Sequence, residues 1–187
     1  MATARKPMVT DEPDDQELVA RFMRGDGAAF DALVRRYQQP IYWLALRYVG
    51  NDADAKDVAQ RALVQAFCKL RDLRDGGSFR AWVYRTAANL SLNLVRDRKP
   101  QAPLGDDLAA REPAVEPLIE VETQRRLRAA VTKLPPQQRL VVELRIYEEL
   151  PFADVAEAAE CSEDAAKVNF HHALKRLRVL MNEEKDQ

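Results

Sequence analysis

The sequence predicts an all-α protein made of two small helical domains joined by a flexible, acidic, proline-containing linker. Three observations predict it. Apolar residues recur at spacings of three and four in both halves, and no stretch alternates convincingly with period two. Residues 16–98 contain a single proline, Pro40, whereas 99–119 contain Pro100, Pro103, Pro113 and Pro117. That same stretch carries Asp106, Asp107, Glu112 and Glu116 and few large apolar residues, a composition that cannot bury enough surface to fold. The expected division is a disordered N-terminus over 1–15, a first domain over 16–98, a linker over 99–119 and a second domain over 120–187.

The first domain reads as four or five helices. Residues 16–24 carry Leu18, Val19 and Phe22. Asp26 is placed to cap a helix bearing Phe30, Leu33, Val34 and Tyr37, and Pro40 to open another bearing Ile41, Leu44, Ala45 and Tyr48. Asp52 or Asp54 is the expected cap of a long helix with Val58, Ala62, Leu63, Ala66, Phe67 and Leu70. A loop over 72–77 precedes Ser78, the expected cap of a helix reaching about Arg98. On that helix Phe79, Trp82, Val83, Thr86, Leu90 and Leu94 form the expected buried stripe. Arg80, Tyr84, Arg85, Asn89, Asn93, Arg96 and Arg98 are left on other sides. Aromatics interleaved with Arg and Asn suit single-stranded DNA, offering stacking, phosphate neutralisation and hydrogen bonds to base edges. Two Asn residues at i, i+4 cost helix propensity, which argues for a use.

The second domain ends in a helix-turn-helix. A short helix over 152–159 presents Val155, Ala156 and Ala159; a break follows at Glu160 and Cys161; Ser162 is the expected cap of the next helix. Glu163 and Asp164 then occupy a first turn where the helix dipole favours negative charge. The expected buried stripe of this last helix is Ala166, Phe170, Leu174, Leu177 and Met181. Around it lie Lys167, Val168, His171, His172, Lys175, Arg176 and Arg178, and no acidic residue occurs from Lys167 to Arg178. A helix apolar on one side and basic elsewhere suits a DNA major groove.

Composition sets limits. The 187 residues carry a net charge of −1, so DNA contact must come from local patches rather than a basic chain. No run of about 18 apolar residues offers a membrane span. The N-terminal residues lack the apolar core of a secretory signal, so the expected location is cytoplasmic. Cys68 and Cys161 lie outside any metal-ligand spacing and read as buried, reduced thiols. His171 and His172 are neighbours about 100° apart on a helix and cannot chelate one ion together. No phosphate-cradling glycine loop, Cys/His cluster or nucleophile–base pair is visible, so neither an enzyme nor a cofactor is expected.

The stretches 54–67, DAKDVAQRALVQAF, and 78–96, SFRAWVYRTAANLSLNLVR, resemble regions 2.2 to 2.4 of an extracytoplasmic-function (ECF, group 4) RNA polymerase sigma factor of the sigma-70 family. The stretch 134–145, LPPQQRLVVELR, followed by the helix-turn-helix, is similar to that family's region 4. The likeness runs from Gln16 to Leu180 in the family's order. It implies a dissociable promoter-recognition subunit of RNA polymerase. Asp54, Asp57 and Gln60 would contact the β′ clamp helices. The loop over 72–77 and the following helix would read and open the −10 element, through Arg80, Arg85, Asn89, Asn93 and Arg96, with Asn89 near a pocket for a flipped-out base. Lys167, Val168, His171 and His172 would read the −35 element. Lys175, Arg176 and Arg178 would contact phosphate. The second domain's other face would meet the β flap, and the linker would thread the polymerase cleft. An anti-sigma factor is a further implied partner; membrane insertion is not.

The chain departs from the family at Lys56 and Arg61, where Glu is usual, and at the start of the recognition helix, where Gly-Thr-Val-Lys-Ser-Arg is common and 164–169 read DAAKVN. The competing reading is a sigma-like mimic that sequesters an anti-sigma factor without touching promoters. Such mimics carry an appended receiver domain, for which this chain has no length. Basic and aromatic residues in both DNA-facing helices also disfavour it.

Overall fold

A computed structural model describes residues 13–70, 78–97 and 118–183. The linker expected over 99–119 lies almost wholly outside them, as do the loop over 72–77 and Arg98. Every regular element among the described residues is helical: α1 (Asp15–Met23), α2 (Gly27–Val49), α3 (Asp52–Lys69) and α4 (Phe79–Asp97), then α5 (Leu118–Thr132), α6 (Pro136–Val142), α7 (Phe152–Ala158) and α8 (Glu163–Glu183). The α6 helix runs on as a π-helical stretch, Glu143–Tyr147.

The boundaries have local causes. Asp14 accepts from the Glu17 N–H at 2.7 Å and starts α1. Asp26 accepts from the Ala28 N–H at 3.1 Å and starts α2. Asn51, not Asp52 or Asp54, caps α3: its Oδ1 accepts from the Asp54 N–H at 2.9 Å, leaving both aspartates in the first turn. Ser78 caps α4 and Ser162 caps α8, each Oγ accepting a backbone N–H at 3.2 Å.

Pro40 does not open a new helix; it lies inside the 23-residue α2. An interior proline costs about 3 kcal/mol through a lost hydrogen bond and a clash. The offsetting gain is one unbroken stripe on either side of it. Leu33, Tyr37, Ile41, Leu44 and Tyr48 are all buried, at helical spacing through the proline. The left-handed Gly50 (φ +78°) then ends the helix, its N–H bonding to the Leu46 carbonyl.

Three other stripes differ from expectation. On α4 the buried residues are Phe79, Ala81, Val83, Tyr84, Ala87, Ala88 and Ser91, so Tyr84 belongs to the core and Trp82 sits half-buried. On α8 the stripe runs Ala166, Phe170, Ala173, Leu177, while Leu174 is exposed. Ala173 and Leu177 pack on Ala130, Val131, Leu134 and Val142, where a small side chain lets α8 approach closely. On α7, Val155, Ala156 and Ala158 are buried rather than Ala159. Phe67, expected inside, is 55% exposed but closes a ring cluster with Phe22 and Phe30, centroids 5.5 and 5.2 Å away. Cys68 beside it is exposed rather than buried, and Cys161 is half-buried.

The two helical domains are packed on each other. Leu140, Val141, Leu144, Leu150, Val155 and Ala156 join the same buried cluster as the cores of α2, α3 and α4. A smaller cluster lies between α5, α6 and α8.

Candidate nucleic-acid interface

The last helix, α8, presents its basic residues outward. Lys167, Val168, His171, His172, Lys175, Arg176 and Arg178 are all exposed. Among the described residues Lys175, Arg176 and Arg178 have no acidic partner. Lys167 differs: its Nζ lies 2.8 Å from Glu163 and 3.9 Å from Asp164. The hydrogen bond to Glu163 lifts its pKa above the usual lysine value. The two imidazoles splay, with centroids 6.4 Å apart and planes at 54°. Among the described residues no group of three His, Cys, Asp or Glu is placed to hold a metal ion.

The turn before α8 bends through Glu160, whose φ of +52° lies in the left-handed region disfavoured for side chains other than glycine. The Cys161 N–H then bonds back to the Ala156 carbonyl at 3.0 Å. This turn sends the Glu160 carboxylate to Arg85, whose Nη1 lies 2.6 Å away.

On α4, Arg85, Asn89 and Asn93 follow one another at four-residue spacing, so they share a face. The far half of that face is open: Asn89, Asn93 and Arg96 are exposed, with Arg96 only 3.4 Å from its neighbour Asp97. Nearer the start of α4, Arg85 is paired with Glu160, and Arg80, five residues earlier and so about 140° around the axis, lies off that face. Arg80 donates to the Tyr37 hydroxyl at 3.2 Å, and its Nη1 lies 3.9 Å from Asp154 of α7. The Ser78 N–H donates to Glu157 at 2.6 Å. Of the five α4 residues, three are thus open to solvent, Arg85 is paired with Glu160 of the helix-turn-helix, and Arg80 is bonded to Tyr37 of α2 with Asp154 3.9 Å away.

On α3, Asp54 is half-buried and accepts from the Asn51 amide at 2.6 Å. Asp57 and Gln60 are exposed. The unusual cations are paired within the helix: Lys56 with Asp52 at 2.6 Å, and Arg61 with Asp57 at 3.4 Å. Val64 and Phe67, 54% and 55% exposed, continue the Asp57–Gln60 face at spacings of three and four. Sequence reasoning missed this apolar extension because Phe67 also fits the pattern of a core residue.

Between the domains lies a buried charge cluster. Arg47 of α2 donates from Nε to Glu143 and from Nη2 to Glu148, the latter at 2.8 Å. The Tyr84 hydroxyl donates to the other oxygen of Glu148 at 2.7 Å. Arg139 donates to the Arg47 carbonyl and stacks over the Tyr48 ring, 3.9 Å from its centroid. Residues five apart on an α-helix lie about 140° around the axis. The i→i+5 register of the π-helical stretch brings Glu143 and Glu148 to one side, where one guanidinium meets both. Burial pushes the Glu143 carboxyl above the usual range, with Arg47 opposing. Burial also works against the Arg47 charge, but its two carboxylates outweigh it and hold its pKa up.

A capped helix-turn-helix whose last helix is basic and exposed is thus carried beside a second helical domain with a polar Arg/Asn face. Residues 33–101 match the model of Sigma-70 region 2, and residues 124–177 match that of Sigma-70, region 4. The RNA polymerase sigma-H factor of Pseudomonas aeruginosa is 33% identical over 170 residues, covering 82% of this chain and 86% of that protein. The ECF RNA polymerase sigma factor SigW of Bacillus subtilis is 26% identical, covering 86% and 92%. The fold resembles that of CnrH in complex with the cytosolic domain of CnrY (TM-score 0.70, 24% identity, 90% of this chain and 97% of that one). It also resembles the sigma factor RpoE in complex with the anti-sigma factor NepR from Bartonella quintana (TM-score 0.62, 18% identity, 82% and 96%). The chain belongs to the sigma-70 family, in its extracytoplasmic-function group, and is a sigma factor directing transcription. No helix among the described residues is long and apolar enough to cross a membrane.

Proposed function

We propose that this chain binds core RNA polymerase and directs it to promoters carrying its own −10 and −35 elements. The observation that carries this reading is the outward face of α8, where Lys175, Arg176 and Arg178 stand exposed without acidic partners among the described residues. Three uncompensated cations on a capped helix suit phosphates flanking a major groove. Val168, 52% exposed, offers an apolar contact for a thymine methyl, and His171, His172 and Lys167 offer donors to base edges.

The division of labour follows the domains, 16–98 for polymerase binding and the −10 element, 99–119 as tether, and 120–187 for the −35 element. Arg80 and Arg85 neutralise phosphate, Asn89 and Asn93 read an extruded −10 base, and Arg96 continues the track. Asp54, Asp57 and Gln60 dock on the β′ clamp helices, joined by exposed Val64 and Phe67 on the same helix face; the second domain meets the β flap. The chain works in the cytoplasm and takes an anti-sigma factor as a further partner.

Run-off transcription with purified core polymerase over a randomised promoter library tests this. The expected result is a selected pair of elements at fixed spacing. A chain that co-purifies with no core enzyme and yields no transcript would be acting as a mimic instead.

A further inference from the structure

The start of α8 carries charge of the wrong sign for a DNA backbone. Glu163 and Asp164 are the first two residues of the helix, and both are exposed. A bare helix N-terminus attracts phosphate; two carboxylates placed there repel it. This end of α8 is therefore unsuited to the backbone and suited to base edges, the contact that the N-terminal residues of a recognition helix make in a major groove. Asp164 stands where glycine is common in the family, so its carboxylate is this chain's own addition. The side chain is 96% exposed. At about 100° per residue, Asp164, Val168, His171 and Lys175 fall within about 60° of one another on the outward side of the helix.

Lys167 stands beside it. Its Nζ lies 2.8 Å from Glu163 and 3.9 Å from Asp164. An ammonium group has three N–H donors, so the bond to Glu163 leaves two for other acceptors. The start of α8 thus presents an acceptor and a donor side by side. Among base edges in the major groove only cytosine N4 and adenine N6 donate. A carboxylate accepts from cytosine N4, and a lysine donates to guanine O6 and N7. A single C·G pair offers that donor and both acceptors next to each other.

We propose that Asp164 and Lys167 together read one C·G pair of the −35 element, Asp164 on the cytosine and Lys167 on the guanine. This rests on the −35 assignment made above. Asp164 is then a specificity residue that adds discrimination and no attraction to the backbone.

The test uses holoenzyme assembled with the wild-type chain, D164A, D164N or K167A. Each selects from a library randomised over the −35 element of a promoter used by the wild-type holoenzyme, and competition binding gives affinity and salt slope. The wild type is expected to select a C·G pair at one position. D164A is expected to lose that preference by about tenfold while keeping the others, with overall affinity and salt slope no lower than wild type. D164N is expected to move the same position towards adenine, which an amide reads through N6 and N7. Replacing the guanine of that pair by 7-deazaguanine, which lacks the N7 acceptor, is expected to weaken the wild type and not K167A.

A selected −35 element in which D164A keeps every preference would overturn the proposal alone. So would a uniform loss of affinity across the library, because Asp164 would then read no base. An equal effect of 7-deazaguanine on the wild type and K167A would take Lys167 off the guanine and overturn the joint reading. A wild-type holoenzyme that selects no −35 sequence at all would instead remove the −35 assignment, and this proposal with it.

Discussion

Arg47 and Glu143, 96 residues apart in sequence and in different domains, form a buried ion pair at the centre of the interdomain contact. Glu143 is 1% exposed and Arg47 only 21%. Removing one member of such a pair leaves a charge in a poor solvent, which costs more than the pair itself contributes. Arg47→Ala is therefore expected to lower stability by about 3 kcal/mol at pH 7, measured by urea denaturation. Glu143→Gln, which keeps an acceptor for the guanidinium, is expected to cost about 1 kcal/mol. The Arg47→Ala deficit has a sign with pH. Without its cation the Glu143 carboxyl, already raised by burial, rises further. A carboxyl with a folded pKa above its unfolded value contributes stability at low pH and loses it as pH rises through the folded value. The deficit is expected to be larger at pH 8 than at pH 5. An equal deficit at both would mean that Glu143 does not carry it.

Asp26 gives the opposite dependence. It caps α2 and bonds the Arg21 guanidinium through Oδ2 at 2.9 and 2.8 Å. The hydrogen bond from Arg21, first among the causes, holds its carboxyl below the usual aspartate value. A lowered folded pKa contributes stability above the unfolded pKa and loses it as pH falls through the folded one. Asp26→Asn keeps a capping oxygen but not the charge. The variant is expected to melt below the wild type at pH 6, with the gap closing below about pH 4, the reference range of an aspartate. A gap of constant size from pH 6 to pH 3 would assign the loss to the cap rather than the charge.

Local features were legible and distant ones were not. The capped start of α8, the cap at Ser78 and the all-helical class rest on residues within one turn of each other, and the chain shows them. The single helix through Pro40 was hidden because proline is a strong local breaker, whereas the buried stripe from Leu33 to Tyr48 acts through packing. Leu174 reads as core ahead of Ala173 because size is visible in a sequence and close helix approach is not. Tyr84 looked like a stacking surface; its partner Glu148 lies 64 residues away. The covering of Arg80 and Arg85 by α7 was equally out of reach, since acids scattered through an amphipathic helix read as solvated charge. Lys167, Val168, His171, His172, Lys175, Arg176 and Arg178 are exposed, as the amphipathic pattern predicts, but that pattern shows neither the exposure of Leu174 nor the tie of Lys167 to Glu163.

The proposed roles of the α8 residues are of two kinds, phosphate contact and base reading. Lys175→Ala or Arg178→Ala is expected to weaken holoenzyme binding about equally across −35 variants. Each is expected to lower the salt slope by about one unit, the signature of a lost phosphate contact. Lys167→Ala or His171→Ala is expected to reorder the −35 variants instead. Competition binding over a −35 library at two salt concentrations reads both effects. If all four substitutions changed only overall affinity, the reading face would have to lie elsewhere on the domain.

Asn89 is the sharpest point of the −10 assignment. It is exposed on α4, in line with Arg85 and Asn93, beyond the part covered by α7. Asn89→Ala removes one donor and one acceptor and improves helix propensity, so folding and polymerase binding are expected to survive. Loss of base recognition worth about 1–3 kcal/mol is expected to reduce open-complex formation by about ten- to a hundredfold. Permanganate reactivity of −10 thymines reports opening directly. A template carrying a pre-melted, mismatched −10 bubble is expected to restore part of the opening, because unstacking no longer has to be offset by trapping the base. It is not expected to restore preference among −10 sequences. Wild-type melting by Asn89→Ala at every −10 variant would take this residue out of the site.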